Sequence, residues 1–172
     1  MRTLALSLLM VIGTAFASYG QKYGYIDSDF ILENMPEYVE AKEKLDKFAK
    51  RWQKEIQDRY VVIKKKKDEF DRVEAVLPDE EREARKLEIE TLENETLELQ
   101  QLRFGVNGDL FAKRKELIQP IQDKVFEALE KVASKGKYAF VFDKANQSNL
   151  IFADPKYDLS KRVLRELGVS IK

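Results

Sequence analysis

Apolar side chains recur every three or four residues along two long, highly charged segments, residues 37–77 and 79–134. This spacing places them on one face of a helix, so both segments are predicted to be helical. Pro78 disfavours a continuous helix and Asp79 can cap the next one, so the chain is predicted to reverse near 77–79. Packing of the two stripes predicts a hairpin with arms of about 40 residues, roughly 60 Å long. The stripes consist of Tyr38, Ala41, Leu45, Phe48, Trp52, Ile56, Tyr60, Ile63, Phe70, Val73 and Leu77 on the outbound arm, and of Leu92, Leu99, Leu102, Val106, Leu110, Leu117, Ile121, Val125 and Val132 on the return arm.

The return arm contains three residues that interrupt helices. Gly105 and Gly108 flank Val106, and a glycine inside a helix costs ~1 kcal/mol relative to alanine. Pro120 removes one helical hydrogen bond. We expect these positions to be hinges or kinks. For the two glycines, close packing of neighbouring helices is an alternative that the sequence leaves open.

Strand-forming residues lie on either side of the hairpin. Residues 22–27 and 138–143 are predicted strands, and residues 150–153 are a predicted third strand after a polar turn at 144–149. The sequence thus predicts an α+β chain, mostly α, in which a helical hairpin of residues 37–135 is inserted between the strands of a small β body. The body comprises residues 22–36 and 136–172.

Capping residues predict where the shorter helices begin and end. Asp27 or Ser28 can cap a brief helix, after which Pro36 begins the outbound arm. Gly136 ends the return arm. A last amphipathic helix is predicted from Asp158, as its cap, to Gly168. So small a body can hardly bury enough apolar surface alone, so we expect it to oligomerise and to join edge strands between copies.

The first seventeen residues have the features of a secretory signal. Arg2 supplies a positive charge, residues 4–16 are mostly apolar, and small residues precede a cleavage position after Ala17 or as late as Gly20. A membrane anchor is the alternative, but the apolar run is shorter than the ~20 residues that span a bilayer. The mature chain is expected to be exported and soluble.

Composition argues against most enzyme classes. The chain has no cysteine and no histidine, which removes the thiol nucleophile, disulfides, and the commonest general base and zinc ligand. Acids at helical spacing usually form a solvated face, so a carboxylate-only active or metal site is not favoured. Lys and Arg number 31, as do Asp and Glu, so the chain lacks the basic field that nucleic-acid binding needs. The basic run at 64–67 is predicted to be a solvated face near the tip. We expect no enzyme, no cofactor and no metal.

At this level of detail the sequence resembles a known family. The N-terminal segment reads KYGYIDSDFILENMPEY, and residues 120–169 read PIQDKVFEALEKVASKGKYAFVFDKANQSNLIFADPKYDLSKRVLRELGV. With the hairpin between them, they resemble the Skp/OmpH family of periplasmic chaperones over the whole mature chain. The most specific features are Pro120, Tyr138, Val141, Asp143, Asp154, Pro155, Asp158, Leu159 and the closing helix at 163–167.

The resemblance implies a homotrimer in the periplasm, with an intersubunit β-barrel body and three helical tentacles around a cavity. Such chaperones hold unfolded outer-membrane proteins without ATP and prevent their aggregation, and this chain has no phosphate-binding loop. The residues expected in the trimer body are Tyr25, Ile26, Phe140, Phe142, Ile151 and Phe152, and the hypothetical client-binding residues are Phe104, Phe111, Tyr60 and Phe70.

One feature departs from the family pattern. The best-known members are strongly basic, whereas this chain is close to neutral, so no lipopolysaccharide-binding residue is carried over. Two other classes of function stay open. The chain could be a structural coiled-coil adaptor or spacer of the cell envelope, although Gly105, Gly108 and Pro120 interrupt the heptads. It could also be a carboxylate-dependent enzyme, which would require acids converging in one pocket.

Overall fold

The structure, a computed structural model, describes residues 21–145 and 150–170. The chain divides into two units: the body unit contains the residues up to Asn34 and those from Phe126 onward, and the arm unit spans Met35–Val125. The predicted signal at 1–17 and most of the polar turn lie outside the described residues. The elements in order are β1 (Lys22–Ile26), α1 (Ser28–Glu33), α2 (Pro36–Val73), α3 (Asp79–Phe104), α4 (Asp109–Gly136), β2 (Tyr138–Asp143) and α5 (Ser160–Glu166), with short 3₁₀ turns at Glu74–Val76 and Pro155–Tyr157.

The predicted hairpin is confirmed. Helix α2 begins with Pro36 at its first position, where the missing N–H costs nothing, and α3 packs against it. The buried side chains of α2 all fall on the predicted stripe: Ala41, Leu45, Trp52, Ile56, Ile63 and Phe70. On the return arm the prediction is only partly right. The buried side chains of α3, Ile89 and Thr96, are not on the predicted stripe, whereas Ile121 and Val125 of α4 are.

The tip lies where it was predicted, but its capping differs. Asp79 is not the cap: Pro78 occupies that position and no side chain caps α3. The Asp79 carboxylate instead pairs with Arg82 at 2.8 Å. The Arg82 guanidinium also donates to the carbonyl oxygens of Glu74 at 3.2 Å and Leu77 at 2.9 Å. Arg82 therefore satisfies backbone acceptors that the end of α2 and the following turn leave open.

The basic run near the tip is largely paired, as expected of a solvated face. Lys66 contacts Glu88 at 2.7 Å and Lys67 contacts Glu93 at 2.6 Å, so both ion pairs join α2 to α3. Exposed pairs of this kind contribute about 0.5 kcal/mol or less each. They steady the hairpin and leave little unpaired positive charge there.

The return arm is two helices separated by a short break. Helix α3 ends at Phe104 and α4 begins at Asp109. Asn107 has a φ of 63°, a left-handed conformation that asparagine tolerates better than most residues. A Cβ at Gly108 would lie 2.6 Å from the carbonyl oxygen of Leu102, so the backbone passes too close for any larger residue. Helix α4 continues through Pro120.

The two strands nearest the hairpin in sequence are confirmed, and the third is not. β1 and β2 pair in parallel, with Tyr25 opposite Phe142. On its other side β1 is joined to Asp158 by a bridge from Tyr25. Residues 150–154 form no strand. A strand requires a backbone partner. In the single chain this segment pairs neither with β1, which is flanked on both sides, nor with the outer edge of β2.

The core of the body unit lies between α1 and α5, which pack together. The buried apolar side chains that these two helices and the cap of α5 contribute are Ile31, Leu32, Leu159, Val163 and Leu164. A Cβ at Gly24 would lie 2.7 Å from Leu159, so glycine allows β1 and the start of α5 to approach closely.

Polar caps fix the ends of these two short helices. Asp27 accepts from the Phe30 N–H at 3.0 Å, which confirms it as the cap of α1. Leu159, not Asp158, occupies the cap position of α5. The Asp158 carboxylate nevertheless accepts from the Ser160 N–H at 2.8 Å, so it satisfies one of the unpaired donors.

An ion pair in the body unit predicts a pH dependence. Lys135 donates to both carboxylate oxygens of Glu166, at 3.1 and 2.8 Å, and this hydrogen bond holds the pKa of Glu166 below its usual value of 4.5. A carboxyl group with a lowered pKa stabilises the fold above its unfolded-state pKa, and the contribution is lost as the pH falls through the folded-state value. We therefore expect the melting temperature lost on Glu166→Gln to shrink as the pH falls below 4.5. Glu127→Gln, an exposed change, is the control, and a loss independent of pH would contradict the assignment.

Candidate functional site

Exposed apolar side chains form one group at the break between α3 and α4 and another on the body unit, while others, such as Val61 and Val62, lie along the arm. At the break, four such side chains lie within ten residues of sequence, and Val106 is 98% exposed. We call this group the elbow cluster; it consists of Leu102, Phe104, Val106 and Phe111. Solvated apolar side chains grouped in this way mark contact surfaces more often than single ones do.

The elbow cluster rests on a buried aromatic support. Trp52 of α2 is buried, and the ring of Phe104 meets it edge-on with centroids 6.5 Å apart. Phe48 lies next to Trp52, at 5.6 Å between centroids. The burial of Trp52 agrees with its position on the predicted stripe of the outbound arm. Phe104 therefore both packs on Trp52 and exposes part of its ring to solvent, whereas Val106 and Phe111 face solvent.

The predicted client-binding residues differ in their exposure. Phe104 and Phe111 are exposed, and both belong to the elbow cluster. Tyr60 is partly exposed, and its hydroxyl donates a hydrogen bond to the side-chain oxygen of Gln100 on α3 at 3.3 Å. Phe70 is buried in the hairpin because its stripe position faces α3, so its ring is not available in this conformation. Client binding by all four stays a prediction.

Val106 was not named as a candidate by sequence reasoning. Its heptad position placed it on the packed stripe, but the flanking glycines end the helix before it can face α2. The signal was present in the sequence, since an apolar residue between two glycines has no regular helix to hold it.

The second exposed apolar surface, the body face, lies on the body unit. It consists of Tyr23, Phe140, Phe142, Ile151, Phe152 and Tyr157. Tyr23 and Phe140 stack across the two strands, with centroids 5.7 Å apart and planes 10° apart. Beside them is a cavity of about 510 Å³, lined by residues that include Phe142, Leu150 and Tyr157.

The residues predicted for the trimer body fall into two sets. Phe140, Phe142, Ile151 and Phe152 are exposed, and the last two are 97% and 83% exposed. Tyr25 and Ile26 are buried within the single chain. Their role in assembly is untested, and only the exposed set is free to contact another copy directly.

Hydrogen bonds and burial shift the pKa values of three side chains near the body face. Lys156 holds the pKa of Asp154 below its usual range through a side-chain hydrogen bond, and Asp154 raises the pKa of Lys156 in turn. Burial raises the pKa of the Tyr25 hydroxyl, and the nearby carboxylates, Asp158 first, add to this effect.

Within residues 21–145 and 150–170, no group of three or more acids could hold a metal ion. None of the helices in the described ranges has the length and apolarity to cross a membrane.

Comparison with known proteins now decides the family. The sequence profile described as "Outer membrane protein (OmpH-like)" matches residues 22–167, which include both exposed surfaces and the whole hairpin. The chain belongs to the OmpH-like family. The predicted resemblance is thus confirmed. This OmpH-like chain has the long helical hairpin that the resemblance implied, together with a small strand pair.

A solved structure has the same fold as the OmpH-like chain. It is the crystal structure of a proposed outer membrane chaperone (OmpH-like) from Caulobacter crescentus, with a TM-score of 0.68. The match covers 91% of this chain and 89% of that one at 13% sequence identity, so it bears on the fold alone. No curated protein sequence matches the OmpH-like chain.

Proposed function

We propose that this chain is an exported, ATP-independent holdase that binds unfolded outer-membrane proteins in the periplasm. Membership of the OmpH-like family over residues 22–167 is the observation that carries the proposal. The solved structure of the same fold is described as that of a proposed outer membrane chaperone, which supports it. The proposal includes the signal at 1–17, the absence of catalysis, and the division into a body and a hairpin at the predicted boundaries.

The exposed apolar residues of the arm supply a physical basis for holding clients. Burying one large apolar side chain contributes about 1.5–3 kcal/mol, so a few contacts bind an unfolded segment reversibly. Polar and charged residues surround the elbow cluster and keep such a surface solvated when it is empty. Weak contacts of this kind release a client when it folds elsewhere, without nucleotide.

The body face supplies a basis for assembly into a homotrimer. Ile151 and Phe152 are almost fully exposed, and β2 has one edge that pairs with no described strand. A second copy that covers these side chains and pairs with this edge would remove the two side chains and the unpaired backbone groups of β2 from water. In this proposal residues 150–153 become a strand only between chains, which would explain why the single chain lacks the third predicted strand.

The decisive experiment is light scattering of an outer-membrane β-barrel protein diluted from urea, with and without the mature chain and without ATP. We expect aggregation to be suppressed at about one trimer per client, with the trimer mass measured by light scattering in the same buffer. A folded trimer that leaves aggregation unchanged would contradict the holdase proposal and would favour the envelope adaptor. A folded monomer that suppresses aggregation would contradict the assembly proposal alone.

The elbow cluster should contribute more to client holding than apolar residues at the tip. In the aggregation assay, the pair Val106→Ser and Phe111→Ser should raise the amount of chain needed for half-suppression several-fold. The control pair is Val76→Ser with Leu87→Ser, which removes two comparably exposed apolar side chains near the tip. Equal losses from the two pairs would show that binding is spread along the arm and would overturn the role of the elbow.

A further inference from the structure

One arginine joins three helices at the break in the return arm. Arg103 lies in the last turn of α3, and its guanidinium forms an ion pair with Asp109, the first residue of α4. The same guanidinium lies 3.7 Å from the Glu55 carboxylate of α2. Its central carbon is 5.1 Å from the centre of the Trp52 ring, also on α2. The contacts of this one side chain therefore connect α3, α4 and α2 at the interruption between the two return helices.

The guanidinium is suited to this position for reasons of shape and burial. Its planar fork can present different N–H groups to two carboxylates while its face stacks on an aromatic ring. The side chain is only 26% exposed, so its ion pairs are less screened by water than those along the rest of the hairpin. Within the described part of the chain, its Nε is buried without a hydrogen-bond partner. Burying that donor is unfavourable, so the other contacts of Arg103 must outweigh it.

The backbone of the break does not by itself determine how α4 leaves α3. Residues 105–108 are followed by a new helix, and the hydrogen bond between the Gly108 N–H and the Gly105 carbonyl, at 2.9 Å, lies within the break. Glycine adopts many conformations at little cost, so a pair of glycines permits several bend angles. Among the described residues, the Arg103–Asp109 pair is the side-chain ion pair that links the end of α3 to the start of α4.

We propose that Arg103 is a latch that holds the break between α3 and α4 at one bend and so keeps the elbow cluster in a fixed arrangement. The break is then a hinge that opens only when the contacts of Arg103 to Asp109, Glu55 and Trp52 separate. Arg103 acts as a positioning residue for Val106 and Phe111 and does not itself contact the proposed client. The inference concerns the conformation of the arm, and it holds whether or not the chain is a holdase.

The test measures the bend directly. Because the chain has no cysteine, Asn94→Cys on α3 and Lys115→Cys on α4 give a unique pair of spin-labelled sites, both exposed. Pulsed electron paramagnetic resonance then reports the distance distribution across the break, with labelled chain diluted into unlabelled chain so that only distances within one chain count. We expect one narrow distribution for the labelled chain, and a broader or shifted one when Arg103→Gln is added.

Two matched variants complete the test. Arg114→Gln makes the same change at an exposed position of α4, and it should leave the distribution unchanged. Asp109→Asn removes the α4 side of the latch but leaves Glu55 and Trp52 in place, so it should broaden the distribution even if Arg103→Gln lowers the helix content. Trp52 is the only tryptophan, and its emission should shift with Arg103→Gln and not with Arg114→Gln.

Two results would overturn the latch. If Asp109→Asn and a folded Arg103→Gln both keep the narrow distribution, the glycine backbone alone sets the bend. If the unaltered pair already shows a broad distribution that neither variant changes, the break is a free hinge. Neither result would bear on aggregation suppression, which is measured separately.

Discussion

Replacing Leu164 with alanine should destabilise the body unit by about 2–5 kcal/mol, the usual cost of removing a buried leucine side chain. Leu164 has no solvent-exposed surface, and it lies in α5, which packs on α1. A body of this size has a small core, so the surroundings can collapse only in part around the cavity left behind. Because neither α1 nor α5 reaches two full turns, packing holds them in place more than helix propensity does.

The change can be measured by urea unfolding at fixed chain concentration, since assembly makes stability depend on concentration. Hydrogen exchange at 159–169 would report the body unit locally, because the Val169 N–H donates to the Leu164 carbonyl at 2.9 Å. Leu87→Ala removes the same atoms from an exposed helical position and should change stability little. If both variants lose the same stability, the core of the body unit has been placed wrongly.

Replacing Trp52 with alanine should have the largest effect on the arm unit, about 3–5 kcal/mol. Trp52 is 6% exposed, and its ring contacts Phe48, Phe104 and the guanidinium of Arg103. The substitution removes the shared partner of all three, so the break in the return arm loses its support as well as its packing. We expect loss of helical circular dichroism at lower urea than for the unchanged chain.

Phe111→Ala is the matched control in the same unit, because it also truncates an aromatic residue but one that is exposed. It should leave the urea midpoint almost unchanged, while it weakens client holding if the proposed function is correct. Trp52→Phe keeps most of the buried apolar surface and should recover part of the stability. A Trp52→Ala variant as stable as Phe111→Ala would contradict the packing described at the elbow.

Prediction from sequence succeeded where a local signal agrees with the packing around it. The two stripes, the proline at 78 and the cap at Asp27 each predicted an element that the structure has. Helix periodicity is a local property of the sequence, and the apolar face that it defines is the face that must be buried in the hairpin. The local pattern and the packing therefore agree. The family resemblance was predicted from short sequence motifs and is confirmed. The residues of the trimer body were predicted with it and stay a prediction.

Prediction failed where a partner distant in sequence decides the outcome. Residues 150–153 have a strand-like sequence, but a strand also needs a paired edge, and in the single chain they pair with neither β1 nor the outer edge of β2. Phe104 is exposed at the break between α3 and α4. Phe70 is buried, as its stripe position had already indicated, although it was also named as a client-binding residue.

The sequence by itself determined that this chain is a long helical hairpin inserted between short strands, and that it belongs to a family built in that way. Periodicity, prolines and glycines act over a few residues, so the structure they favour can be predicted without knowledge of the fold. That Arg103 contacts Glu55, Trp52 and Asp109 at one point became known only from the tertiary structure. Those contacts depend on the register of two antiparallel arms and on the angle of a glycine break, which are set by packing across the hairpin and by no local signal.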